Sequence, residues 1–144
     1  IVGAGSFLLY SDPFRYERFD PMRQNIPLDS EVTIFAALDA TAFVVGTEKA
    51  IYRFTGDVSA SSLTKIAEHG AIKGVVAIVD AAFIKKGAQG LMAVFATPHG
   101  FCAVGPSGEV TNLTAERYAV ARASAGSAVY VPDDGNHKVL FALE

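Results

Sequence analysis

The sequence predicts an all-β, antiparallel protein, and three observations carry that expectation. Short runs of Val, Ile, Phe, Tyr and Thr are separated by Gly, Pro, Asp and Ser, which is the punctuation of strands and turns. Several runs alternate apolar and polar residues, the period of a half-buried strand. The third observation is a repeat. Val45-Gly46-Thr47-Glu48-Lys49-Ala50-Ile51 lies over Phe95-Ala96-Thr97-Pro98-His99-Gly100-Phe101 at an offset of fifty residues. Both copies read strand, Thr-led turn, strand.

Taken in order, Ser6 to Tyr10 is a short apolar run stopped by Ser11-Asp12-Pro13, which reads as a turn starter. Phe14, Tyr16, Arg18 and Phe19 follow and stop at Asp20-Pro21, and Met22 to Ser30 reads as a connecting loop. Val32 to Leu38 is strand-like, with Asp39-Ala40 as a tight turn. Thr41 to Gly46 is a second strand, Thr47-Glu48-Lys49 a turn, and Ala50 to Phe54 a third strand, ended by Gly56-Asp57. Leu63 to Glu68 alternates and would be the fourth. The arrangement then recurs. Val75 to Val79 is a strand, with Asp80 at the turn position that Asp39 holds. Ala81 to Ile84 follows, then a polar loop from Lys85 to Gly90. Leu91 to Ala96 and Phe101 to Val104 are strands about the turn Thr97-Pro98-His99-Gly100. Pro106 to Glu109 is a turn and Val110 to Thr114 a short strand. Thr114-Ala115-Glu116-Arg117 resembles a helix-capping start, and the alanine-rich stretch to Ala125 has room for a turn or two of helix. Ser127 to Leu143 is a hairpin candidate about Asp133-Asp134-Gly135-Asn136, whose Asp-Gly and Gly-Asn steps suit tight turns.

A period of roughly 40 to 50 residues with about four strands in each unit is the signature of propeller blades. One four-stranded sheet buries its faces only against neighbouring blades. The expectation is therefore a single β-propeller-like region over 1–144, part of a larger domain, with blade-like units at about 32–68 and 75–114. So few units do not close a ring, and Ile1-Val2-Gly3-Ala4-Gly5 has neither an initiator Met nor a basic leader, so the chain reads as a fragment of a longer one. The alternative architecture is a β-sandwich. Residues predicted to be buried include Ile34, Phe43, Val45, Ile51 and Phe54.

Composition narrows the function. Apolar residues are 51% and charged residues 19% of the chain, and the formal net charge is −3, so no basic field draws nucleic acid or anionic lipid. No apolar run approaches the roughly 20 residues of a membrane span. Cys102 is the one cysteine and reads as a buried small hydrophobe. His69, His99 and His137 each fall at or just after a turn, and no two have metal-ligand spacing. Cys102 with His99 lacks an orienting acid, and no Ser sits in a Gly-x-Ser-x-Gly context. Asp133 to Asn136 followed by Glu144 fails the calcium-loop pattern because Lys138 to Leu143 reads as a strand. The same segment fails the aspartate-box pattern at Val131 and Lys138. Asp12, Glu17, Asp20 and Asp29 invite a carboxylate pair, but they alternate with Arg15, Arg18 and Arg23, as in a solvated face or an intersubunit contact. Asn112-Leu113-Thr114 matches a glycosylation acceptor. The expectation is a non-enzyme with no catalytic, cofactor-binding or metal-ligating residues and no cofactor.

Four segments together resemble the β-propeller-type virion structural proteins of tailed bacteriophages. They are Tyr10-Ser11-Asp12-Pro13-Phe14-Arg15-Tyr16-Glu17-Arg18-Phe19-Asp20-Pro21, Val45 to Tyr52, Glu68-His69-Gly70-Ala71-Ile72-Lys73-Gly74, and Val110 to Tyr118. The resemblance implies a non-enzymatic tail or tail-associated component acting in virion assembly. It implies a virion location after assembly in the host cytoplasm. Its partners would be other virion structural proteins and symmetric copies of itself, with no nucleic acid and no membrane. It transfers no functional residues, because the matched positions are turns and strand cores. In that setting Tyr16 and Phe19 would cover the end of a blade, and Gly46 would let the chain approach a neighbour closely. The alternative function is a carbohydrate- or receptor-binding β-propeller module, with Tyr16, Phe19 and Tyr118 as its candidate aromatics.

Overall fold

The structure is a computed structural model that describes residues 1–12, 14–56, 62–115, 117, 123–133 and 135–144. The described chain runs as antiparallel meanders. β1 (Val2–Ala4) pairs with β2 (Phe7–Leu9). A hairpin of β3 (Ser11–Asp12) and β4 (Arg15–Phe19) follows, and β5 (Asn25–Pro27) returns to pair with β2. The second sheet is β6 (Val32–Ala37), β7 (Ala42–Thr47), β8 (Ile51–Thr55) and β9 (Ser62–Ala67), in sequence order. The third is β10 (Val76–Asp80), β11 (Leu91–Thr97), β12 (Gly100–Val104) and β13 (Val110–Asn112), with a helical turn α1 (Ala81–Ile84) between its first two strands. β14 (Gly126–Asp133) and β15 (Asn136–Leu143) form the last hairpin.

These sheets stack face to face in chain order, because the central strands are apolar on both sides. On β7, Val44 points one way and Phe43 and Val45 the other, and every residue of the strand is buried. Phe43, Val45, Tyr52 and Phe54 pack with Leu8, Ile26 and Leu28 of the preceding segment. Ile34, Ala36, Val44 and Ile51 pack with Ala93, Phe95, Cys102 and Val104 of the third sheet. The opposite face of that sheet places Val79, Val94 and Ala103 against Tyr130, Val139 and Phe141 of the last hairpin. Alternation within strands thus serves two interfaces at once, so residues 42–47 and 93–97 read as continuous apolar runs. A sandwich has two layers, whereas these clusters run through four. No described sheet closes on itself into a barrel.

The first strands of successive sheets are also joined through the backbone. The Val32 N–H donates to the Gly5 carbonyl at 2.8 Å, Gly74 N–H to Thr33 at 3.0 Å, and Gly126 N–H to Lys73 at 2.9 Å. Lys73 and Ala125 form a parallel bridge. Glycine is required here for space. A Cβ on Gly126 would lie 2.2 Å from the Ala142 carbonyl oxygen, and one on Gly74, whose φ is +80°, 2.6 Å from the Gly126 oxygen.

The two four-stranded units at about 32–68 and 75–114 form as expected, and so does the hairpin about Asp133 and Asn136. Ile34, Phe43, Val45, Ile51 and Phe54 are all buried. Gly46 is a close approach, since its Cβ would lie 2.6 Å from Ile34 and 2.8 Å from Ala71. Several readings need correction. The stretch read as a loop from Met22 to Ser30 contains β5. Val2–Ala4, to which the sequence reading assigned no element, is a strand. Ser11–Asp12 is a short strand that leads into the β3–β4 hairpin, where Asp12 pairs with Arg15, while Pro13 lies outside the described residues. Ala81–Ile84, which the sequence reading left without an element, is a helical turn, because Asp80 caps it by accepting the Ala82 N–H at 2.8 Å. Tyr16 is exposed rather than covering a sheet. Half of the stretch considered for a helix from Thr114 to Ala125, residues 116 and 118–122, lies outside the described residues.

Phe43 stacks on Phe54 with ring centroids 4.4 Å apart and seals the interface with Leu8. Phe43→Ala should destabilise the chain by about 3–5 kcal/mol, read as a lower midpoint in equilibrium denaturant unfolding. A loss under about 1 kcal/mol would mean that the interface is not formed.

Candidate functional site

The repeat recognised in the sequence is a repeated turn device. Thr47 and Thr97 are both fully buried at the ends of β7 and β11. The Thr47 hydroxyl oxygen accepts the Ala50 N–H at 3.0 Å and lies 3.1 Å from the Ala50 carbonyl and 3.0 Å from Asp29 Oδ1, two acceptors for its one proton. The Thr97 hydroxyl donates to the Gly100 carbonyl at 2.9 Å and accepts the His99 N–H at 3.1 Å. Each hydroxyl satisfies turn groups that burial would leave without water.

Asp29 ties the connection between sheets to this turn. It accepts from Ser30 at 3.1 Å and lies 3.9 Å from the Lys65 ammonium. Burial opposes its charge, but hydrogen bonds from Tyr52, Thr47 and Ser30 and the charge of Lys65 outweigh it and hold the carboxyl below its ordinary range. Burial, then the Asp29 carboxylate, push the Tyr52 phenol up to about 12. Of the acids considered as a pair, Asp29 belongs to this turn, while Asp12, Glu17 and Asp20 belong to the β3–β4 arm. Asp12 sits 3.9 Å from Arg18 and accepts from the Gln24 amide. Asp20 caps its own turn by accepting the Met22 N–H at 3.0 Å.

The β3–β4 arm is the strongest candidate for a recognition surface. Its base is fixed: the Gln24 side chain bonds Asp12 and also accepts the Asp20 N–H at 2.7 Å, and the Tyr10 N–H donates to the Gln24 carbonyl at 3.1 Å. Its outer part is open. Phe14 is 90% exposed, Tyr16 74%, and Met22, at the neighbouring turn, 88%. Phe14 also sits at φ +61°, a left-handed conformation unusual for an aromatic residue. A fixed base that holds large apolar side chains and arginines in water presents the residue types that dominate protein contacts. Gln24 went unmarked in the sequence, which carries no signal for a side chain bridging two turns.

The remaining candidates are placed as follows. His69 and His99 converge, with rings edge to face at 5.6 Å, which their spacing did not suggest. No group of three or more His, Cys, Asp or Glu able to hold a metal forms among the described residues. His137 stacks on Phe83 at 3.4 Å, and its Nδ1 lies 2.5 Å from the Tyr130 hydroxyl, so it fastens the last hairpin to α1. Cys102 is buried 3.9 Å from the Thr97 hydroxyl, and burial pushes its thiol pKa up. The Asn112 amide is engaged internally, donating to the His99 carbonyl at 3.1 Å and accepting the Thr114 N–H at 2.9 Å. Beside the third sheet lies a groove of about 450 Å³, lined by Ile84, Met92 and Leu113 with Lys85, Ser107 and Glu109. Nothing in the sequence marked it. Among the described residues no helix is long and apolar enough to cross a membrane.

Compared with known proteins, the chain matches no family model, no curated protein and no solved structure.

Two outcomes follow from these environments. Asp29 titrates lower in the folded chain than in the unfolded one, so its contribution is present above the ordinary carboxyl range and is lost as pH falls through the folded pKa. Asp29→Asn should therefore lower the melting temperature by a few degrees at pH 7, and the gap should close below about pH 4. Thermal melts across pH test this, and a gap that widens in acid would contradict it. The Cys102 thiol, buried and protonated at neutral pH, should react with an aromatic disulfide reagent only as fast as the chain opens. Rapid labelling of the native protein would show that Cys102 is accessible.

Proposed function

We propose that this chain is a non-enzymatic structural component of a tailed-phage virion, a tail or tail-associated part acting in assembly. In this reading its stacked sheets are blades of a β-propeller. The observation that carries it is the β3–β4 arm, clamped at its base by Gln24 and presenting Phe14, Tyr16, Arg15 and Arg18 outward. Such an arm suits docking onto a neighbouring subunit, because rigid aromatics bury large area at small entropic cost. The blade reading is supported by one-sided growth of the stack and by the backbone bonds between first strands, Gly74 to Thr33 and Gly126 to Lys73. The virion assignment rests on the resemblance of the four segments named above. In that setting the partners are other virion structural proteins and symmetric copies of the chain, and the location is the virion, assembled in the host cytoplasm.

A second reading, a carbohydrate- or receptor-binding propeller module, is favoured by the groove lined by Met92, Leu113 and Glu109, whose size is that of a small-ligand site. Binding to a glycan array, lost in a Met92→Trp variant that fills the groove, would favour this reading over the first.

Arg15→Ala with Tyr16→Ala should reduce incorporation into virions about tenfold or more, as loss of a contact hot spot does, while the melting temperature of the isolated chain stays within about 2 °C. Normal incorporation of the double variant would remove the arm from the assembly contact.

A further inference from the structure

His69 and His99 belong to different sheets, and the fold brings their rings together. His69 follows β9 at the end of the second sheet, and His99 lies in the Thr-led turn between β11 and β12 of the third. The ring centroids are 5.6 Å apart with the planes inclined at 69°. His69 is half-buried and His99 exposed. Both backbones are held in place. The Ala71 N–H donates to the Thr47 carbonyl at 2.9 Å and the Ile72 N–H to the Ala96 carbonyl at 2.9 Å. Gly70 presses on the Thr47–Glu48 turn so closely that a Cβ would lie 2.0 Å from the Glu48 carbonyl oxygen. The segment after His69 is thus stitched to both sheets. On the other side, the His99 N–H donates to the Thr97 hydroxyl at 3.1 Å, and the His99 carbonyl accepts the Asn112 amide at 3.1 Å.

Packing accounts for the edge-to-face contact, but it leaves one atom unexplained. His69 Nδ1 is buried and has no hydrogen-bond partner among the described residues. Buried polar atoms are nearly always satisfied, by protein groups, ordered water or an ion. A ring nitrogen without a proton is an electron-pair donor, and neutral imidazole is the commonest metal ligand. The separation of the rings suits that role. Such a nitrogen binds zinc at about 2.0–2.1 Å, and the ring centre lies about 1 Å behind it. Two imidazoles that share one ion therefore have centres about 5 to 6 Å apart, the range in which this pair falls.

We propose that His69 and His99 together hold one divalent transition-metal ion of the zinc, nickel or copper kind, tying the second sheet to the third. Imidazole suits these ions, whereas magnesium and calcium take oxygen ligands. Among the described residues no group of three or more His, Cys, Asp or Glu forms a site. The remaining coordination positions therefore fall to water or to a donor from another molecule, and the ion exchanges with solution. Because the backbones on both sides are already fixed, little ordering opposes binding. The inference owes nothing to the assembly reading and needs neither the β3–β4 arm nor a virion.

The chain has three histidines, so His137, stacked on Phe83, is the internal control. In proton NMR of the 144-residue chain, substoichiometric Cu²⁺ should broaden the ring signals of His69 and His99 together and before those of His137, each signal being assigned by its own His→Ala variant. Zinc at about 1 mM should raise the melting temperature by a few degrees, as any ligand of the folded chain alone does, and Mg²⁺ at the same concentration should not. Measured for each variant against its own metal-free melt, the zinc shift should vanish in His69→Ala and in His99→Ala and persist in His137→Ala. That reference separates loss of a ligand from loss of packing. If His69→Ala fails to fold, His69→Phe keeps a ring without the nitrogen and should show the same loss. Equal broadening of all three histidines would overturn the proposal, as would a zinc shift that survives in the His69→Ala/His99→Ala double variant. No shift with zinc, nickel or copper would also overturn it and would assign the buried nitrogen to an ordered water instead.

Discussion

A sheet whose middle strand is apolar on both sides must be covered twice, and β7 and β11 impose this condition on everything around them. Val44 needs the third sheet, while Phe43 and Val45 need the segment that contains Leu8 and Ile26. Val94 and Ala103 need Tyr130 and Phe141. Covering one sheet with another of the same type passes the requirement along the chain, so the sheets form a row rather than a two-layer sandwich. The glycines where first strands meet follow from the same condition, because faces this tightly packed bring the backbones of Gly74 and Gly126 within hydrogen-bonding distance of their neighbours.

Burial on both faces also sets the chemistry of the turns. A turn at the end of a buried strand loses access to water on each side, so its polar groups need partners within the chain. Thr47 and Thr97 supply them with one hydroxyl each, and Asp29 extends the network to Tyr52 and Lys65. In the β3–β4 arm, polar side chains fix the base, and the outer part carries Phe14 and Tyr16 into solvent.

The parts of the fold that were legible in the sequence are those where local pattern and tertiary demand agree. The hairpins over 42–55 and 91–104 combine strand-forming residues with a Thr-led turn, and both features persist in the fold. β5 escaped because Asn25-Ile26-Pro27 has a single strand-forming residue, and its proline is tolerated only because β5 lies at a sheet edge. Ala81–Ile84 escaped because four apolar residues after a strand have no period to read, and the Asp80 cap decides the outcome. The aromatics of 14–19 were legible as important but not in direction. Sequence suggested that Tyr16 covers a sheet, and the hairpin turns it outward. The meeting of His69 with His99 depends on which turns the stacking brings together, and no local spacing encodes that.

The order of strands within each sheet follows the order of the chain, which has a kinetic consequence. Within the sheets, β6–β9 and β10–β13 each pair strand to strand only with the next strand in sequence, so the loops closed on the way to each sheet are short and their entropic cost is small. A ribosome releasing the chain from its N-terminus delivers each meander whole before the next begins. The face that Val44 and Ile51 present stays bare until residues through Val104 have emerged. During translation the growing end of the stack therefore always carries one uncovered apolar face, and the interval before its cover arrives is set by the length of a single unit.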